Sequence, residues 1–213
     1  MNEFFKNKQT VLFQGDSITD SERDRENDDY LGYGYVSKVK AAYNALFPDN
    51  EVKFINRGTS CDMLCDMINR YESDVLALKP DFISLLIGIN DIWRKYSRDV
   101  PFSLDNFKEQ YELLLSNIKK DLPNTKIMII EPYLMNTDPE KVIWRANDLD
   151  PTIQVIRNLA VTYADYYLPL DGILTGYKIN KYSDFQISDD GVHPTQLGHG
   201  LIATEYLKTL NII

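Results

Sequence analysis

A chain of 213 residues, 44% hydrophobic and 26% charged, with 9 Phe, 14 Tyr and 2 Trp, can bury a core without disulfide staples, which excludes a disordered protein. Its 23 basic and 32 acidic residues leave a net charge of −9, so no nucleic-acid partner is expected and a neutral substrate is favoured. The amino terminus lacks the apolar stretch of a signal peptide, and no run approaches the roughly 20 apolar residues of a membrane span, so a cytoplasmic protein with no membrane partner is expected.

The first strand begins near Thr10 and carries Val11-Leu12-Phe13 into Gly15-Asp16-Ser17. A helical pattern with Val36, Val39, Tyr43 and Leu46 runs to Pro48, and Val52 to Ile55 makes a second strand ahead of Gly58. A helix is expected from about Asp62 to Leu78. Cys61 and Cys65, four apart around its start, read as thiols because a metal would lack further ligands there; no metal and no cofactor are expected. Phe82 to Ile87 is a third strand ending at Gly88, followed by a helix over about Leu104 to Leu122. Lys126 to Ile130 is a fourth strand, Pro151 to Ala164 a helix, Tyr166 to Leu170 a short fifth strand, and Gln196 to Leu210 the last helix. No linker or repeat interrupts the series, so residues 1–213 are expected to form a single domain. Strands apolar on both faces and alternating with helices imply βαβ units, hence a three-layer α/β/α sandwich around a parallel, flavodoxin-like sheet of about five strands.

Ligands of such sheets bind beyond the carboxyl ends of the strands. Ser17, Gly58 and Asn90 follow the first, second and third strands and so share that edge. Ser17 sits at a strand-to-helix turn suited to a nucleophile, although a helix cap would use the same residue type. A serine hydroxyl needs a base, and the chain has two histidines. His193 lies in the loop Asp189-Asp190-Gly191-Val192-His193-Pro194, where Asp190 can turn back onto the ring. His199 falls inside the following helix and reads as a packing or surface residue. The Ser17 and Gly58 N–H groups and the Asn90 amide are candidate donors to a tetrahedral oxyanion, with Gly58 leaving room for a close substrate oxygen. Asn90 and Asp91 could equally be a helix-capping pair, and Asp91 reads mainly as structural.

Gly15-Asp16-Ser17-Ile18, Asn56-Arg57-Gly58, Gly88-Ile89-Asn90-Asp91 and Asp190-Gly191-Val192-His193-Pro194, in that order, resemble the four blocks of the GDSL or SGNH hydrolases. Ile18 replaces the family's Leu, and Cys61 stands where many members carry a small residue. The resemblance implies Ser17 as nucleophile, His193 as general base then acid, and Asp190 as its orienting partner. Ile87 to Arg94, Gly15 to Asp20 and Asp190 to Pro194 look most like the intracellular acetylxylan esterases of the family. That likeness implies Trp93 and Arg94 as substrate-binding residues beside the acyl pocket or the sugar, with core or subunit interface the other reading of Trp93. An acetylated carbohydrate is implied as the substrate, and the expected cytoplasmic location limits it to a small one such as a short xylo-oligosaccharide.

Lipase, thioesterase and arylesterase activities share the scaffold and stay open, as do two readings of another class. A flavodoxin-like binding module would need a Gly-rich phosphate loop, which the Gly15-Asp16-Ser17 turn is not. A noncatalytic carbohydrate-binding protein would not need Ser17, Asp190 and His193 together. The segments Tyr30 to Tyr35 and Asn136 to Asp150, the latter holding Trp144 and Arg145, could wall the site or join subunits of a homo-oligomer.

Overall fold

Side chains along each central strand alternate between two apolar layers, and this alternation dictates where the helices pack. The computed structural model describes residues 4–213. In chain order its elements are β1 (Thr10–Gly15), α1 (Ser17–Asp20), α2 (Tyr35–Leu46), β2 (Lys53–Asn56), α3 (Leu64–Asn69), β3 (Phe82–Leu86), α4 (Ile89–Arg98), α5 (Leu104–Asp121), β4 (Lys126–Ile130), α6 (Pro139–Trp144), α7 (Asp150–Tyr163), β5 (Tyr166–Leu168), α8 (Leu170–Asn180), α9 (Asp184–Ile187) and α10 (Gln196–Thr209).

All five strands are parallel, in the order β2-β1-β3-β4-β5. Val11, Phe13, Leu86, Met128 and Ile130 face one layer, which they share with α2 and α10. Leu12, Ile83, Leu85, Ile127 and Ile129 face the other, with α3, α5 and α7. The sheet is therefore covered on both sides, a three-layer α/β/α sandwich as the alternating pattern implied. Ser84, the polar residue of β3, is paired by its hydroxyl with the Tyr206 hydroxyl of α10 at 2.8 Å, so its burial leaves no unmet bond.

Three local departures have physical causes. The helix expected over 62–78 is two pieces, α3 and a π-helical turn at Glu72–Leu76. Met67, Tyr71 and Val75 lie four apart, more than the 3.6 of a regular helix, and the wider turn keeps all three buried. The segment after Gly88 is itself helical: Ile89, Ile92, Trp93 and Tyr96 carry the apolar spacing, and Gly88 enters α4 at φ +123°, a backbone region that L side chains rarely adopt. β5 stops at Leu168 because Pro169 cannot donate to the ladder, and Leu170 opens α8 rather than extending the strand.

β1 lies between β2 and β3, so the connections leaving β1 and β3 diverge on either side of a crevice at the carboxyl edge. Among the described residues no helix is long and apolar enough to cross a membrane.

Candidate active site

The turn after β1 assigns two roles to two adjacent residues. Asp16 is the N-cap of α1, its Oδ1 accepting the Ile18 N–H at 3.0 Å. Burial pushes the Asp16 carboxyl up to about 7, against the pull of that N–H. Capping thus falls to Asp16 and leaves the Ser17 hydroxyl free to meet the His193 Nε2 at 2.9 Å.

His193 is aimed by its own loop. Its Nδ1 lies 2.7 Å from Asp190 Oδ2, while Asp190 Oδ1 accepts the N–H groups of Val192 (2.9 Å) and His193 (2.7 Å). Burial pushes the Asp190 carboxyl up, but the His193 bond and these backbone bonds outweigh it and hold it well below the usual carboxylate range. The Asp190 bond in turn raises the His193 imidazole above its ordinary 6.5, against the effect of burial. With Nδ1 donating to a carboxylate, Nε2 is the acceptor for the serine proton. The loop is anchored from outside: the Tyr133 hydroxyl donates to Val192 O at 2.7 Å, and the Met135 N–H donates to Gly191 O at 2.8 Å. Sequence reasoning missed Tyr133, whose partner lies 59 positions away.

The candidate oxyanion donors converge on the same edge, each with a holder. Ser17 opens α1, so its N–H has no acceptor within the helix. Asn90 donates one amide N–H to Asp62 O at 3.0 Å, and the other remains for a substrate oxygen. The Gly58 N–H donates to Asn56 Oδ1 at 2.9 Å, so a substrate oxygen would share it with that amide. Asn56 is a residue the sequence reading gave no role, and it is 2% exposed. Its Nδ2 lies 2.7 Å from Thr19 O and 2.9 Å from Leu31 O, joining the Ser17 turn to the second block. The demand for glycine at position 58 also has an origin within the fold. A Cβ there would sit 2.3 Å from the Asp20 backbone nitrogen, so helix α1 by itself demands glycine at this position. Asp91 is structural: its carboxylate takes the Leu64 N–H at the start of α3, at 3.2 Å.

A cleft of about 430 Å³ opens above Ser17 and His193. Its other walls are Ser60 and Cys61 on one side and Asn90, Trp93, Arg94, Ser97 and Arg98 of α4 on the other. The Trp93 ring stands 5.6 Å from the His193 ring. Arg94 donates to Cys61 O at 2.6 Å, closing one end of the wall. Ser97 and Arg98 were missed because the stretch carrying them was not read as a helix.

Neither 30–35 nor 136–150 lines this cleft. Residues 136–150 contain α6 and a π-helical turn, Arg145–Leu149. Trp144 is buried, stacked on Tyr96 at 5.0 Å and 6.0 Å from Trp93, so it backs the wall from behind. Arg145 is an anchor to α8, its Nη2 2.8 Å from Asp171 Oδ1.

His199 is buried packing. Its Nδ1 accepts the Tyr35 N–H at 3.1 Å, and its Nε2 meets Ser21 Oγ at 3.3 Å, behind the Ser17 turn. Burial lowers its pKa from 6.5 to about 4. Between those values the unfolded chain takes up a proton that the folded chain refuses, so this group's stabilisation is complete above pH 6.5 and is lost as pH falls toward 4. His199→Ala is expected to keep hydrolysis at pH 7 while losing about 1–3 kcal/mol of stability. Its Tm deficit against wild type should shrink at pH 5; a deficit that grows on acidification would contradict a neutral buried imidazole.

The parallel sheet carries a Ser–His–Asp hydrogen-bonded line at its switch point, and comparison with known proteins places the chain among the carboxylic ester hydrolases. It belongs to the GDSL-like lipase/acylhydrolase family, which residues 13–201 match. It is 30% identical over 208 residues to an acetylxylan esterase of Geobacillus stearothermophilus, covering 94% of this chain and 93% of that protein. A solved acetylxylan esterase structure from that organism superposes with a TM-score of 0.84 at 27% identity, covering 96% of this chain and 95% of the other. An α/β hydrolase from a Lake Arreo metagenome superposes with a TM-score of 0.86 at 25% identity, covering 99% and 98%.

Proposed function

We propose that the protein is a single-domain serine esterase that removes acetyl groups from acetylated sugars, short xylo-oligosaccharides above all. The observation that carries this reading is the unbroken line Ser17 Oγ, His193 Nε2, His193 Nδ1, Asp190 Oδ2, with steps of 2.9 and 2.7 Å, at the floor of an open cleft. Ser17 Oγ attacks the acetyl carbonyl as His193 takes its proton. The Ser17 N–H, the free Asn90 N–H and the shared Gly58 N–H receive the oxyanion; loss of one such donor typically costs about 10²–10³ in rate. His193 then returns the proton to the sugar oxygen, which leaves, and acetyl remains on Ser17. Water, deprotonated by His193, attacks that ester; the bond to Ser17 Oγ breaks as His193 returns the proton to that oxygen, and acetate is released.

The sugar assignment is supported by the relatives' activity and by Trp93, a half-buried ring beside the imidazole on which a sugar face can pack. The same ring limits the acyl side. Each added methylene stabilises by only about 0.8 kcal/mol, and only where there is room to bury it. We expect kcat/KM to fall from acetyl to butyryl to octanoyl esters, and Trp93→Ala to weaken that order along with action on acetylated xylo-oligosaccharides. An optimum at octanoyl in the wild-type enzyme would reject deacetylation in favour of a lipase or thioesterase.

A further inference from the structure

The net charge of −9 favours a neutral substrate, but the cleft has a different local charge. No carboxylate lines it, and two guanidinium groups do, Arg94 and Arg98. Of the eight arginines in the chain, five hold a carboxylate in an ion pair among the described residues. Of the other three, Arg23 donates to Gly58 O at 2.7 Å. The remaining two are those of the cleft. Arg94 bonds only the Cys61 carbonyl, which occupies one of its five N–H donors, and Arg98 is exposed with no ion pair or hydrogen bond among the described residues.

Their neighbour Lys95 turns the other way and is paired with Asp148 at 2.8 Å. Like charges four apart on a helix are destabilising by about 0.2–0.5 kcal/mol. A cation in the last turn of α4 is explained by the helix dipole, which covers Arg98 but not Arg94 a turn earlier.

Asn90, Arg94 and Arg98 lie at intervals of four along α4, so the guanidinium-bearing positions are about 6 and 12 Å along the helix from the amide that faces the reacting carbonyl. An acetyl group ends one methyl beyond that carbonyl. Whatever reaches the arginines therefore belongs to the alcohol part of the ester. We infer that the preferred substrate is an acetylated oligosaccharide carrying a carboxylate, a uronic acid substituent, whose charge is held by Arg94 and Arg98. The inference rests on the deacetylase reading and narrows it; planar guanidinium and carboxylate match in a fork of two hydrogen bonds.

The test compares kcat/KM for acetylated xylo-oligosaccharides with and without a uronic acid substituent, in wild type and Arg98→Glu, with 4-nitrophenyl acetate and acetyl-coenzyme A alongside. In wild type at low salt the acidic oligosaccharide should be preferred about tenfold, equivalent to about 1.4 kcal/mol. The preference should vanish in Arg98→Glu. It should also fade between about 0.02 and 0.5 M salt, as the screening length falls well below 10 Å. Equal treatment of the two oligosaccharides by wild type overturns the proposal and leaves the deacetylase reading standing, as does a preference that survives both salt and Arg98→Glu. Hydrolysis of 4-nitrophenyl acetate without either oligosaccharide overturns both. If acetyl-coenzyme A is then cleaved in a manner sensitive to salt and Arg98→Glu, the anion held is a phosphate, not a uronate.

Discussion

Ser17→Ala is expected to lower kcat for acetate esters by about 10⁴–10⁶ and to leave the fold unchanged. The substitution removes the hydroxyl that meets the His193 Nε2, whereas the cap of α1 is the neighbouring Asp16 and the Ser17 N–H stays in place. Circular dichroism and Tm should match wild type, and the residue of activity should reflect the oxyanion donors alone. Two other serines line the cleft, Ser60 and Ser97, but the Ser60 hydroxyl donates to Asp20 Oδ2 at 2.7 Å, and neither hydroxyl meets an imidazole among the described residues. A serine-directed fluorophosphonate should label Ser17 and nothing else. Activity within tenfold of wild type, or a label on Ser60, would remove the mechanism.

Asp190→Asn should cost about 10⁴ in kcat by reversing the imidazole. The Val192 and His193 N–H groups hold the oxygen of the new amide, so its NH₂ is turned toward His193 Nδ1. Nδ1 must then accept, Nε2 carries the proton, and the serine proton has nowhere to go. The pH profile adds a second readout. In wild type the imidazole is raised by Asp190, so kcat/KM should fall on the acid side with a midpoint above 6.5. Losing the carboxylate removes the main cause of that rise, and the residual activity should show its midpoint at lower pH. An unmoved acid limb would mean that some group other than His193 is titrating.

Much of this site was legible because its parts are local. A strand ending in Gly15-Asp16-Ser17, a loop with Asp190 three residues before His193, and a choice between only two histidines need no knowledge of packing. The strands were legible for a similar reason, since apolar runs such as Phe82 to Ile87 have few other folded uses. What escaped was set by contacts distant in sequence. Tyr133 reads as one more aromatic until the Val192 carbonyl arrives beside it, and Asn56 reads as a turn residue until Thr19 and Leu31 present their carbonyls. Gly58 was singled out for the approach of a substrate oxygen, and the approach of the Asp20 backbone, far earlier in the chain, could not be read from the local pattern. The stretch after Gly88 carried a readable helical period, and overlooking it hid Ser97 and Arg98.

The two sides of the cleft differ in how much change they can absorb. Ser60 is bound to Asp20, the Cys61 carbonyl to Arg94, and Asn90 to the Asp62 carbonyl, while the floor depends on the Asn56 amide. A new side chain at any of these positions disturbs the geometry of the reacting atoms as well as the shape of the wall. The outer turn of α4 is under no such obligation: Ser97 and Arg98 are exposed, and neither side chain holds a hydrogen bond or ion pair among the described residues. Drift in these two residues can therefore retune which alcohol is welcomed while the reaction centre stays as it is, so related enzymes can diverge in diet faster than in chemistry.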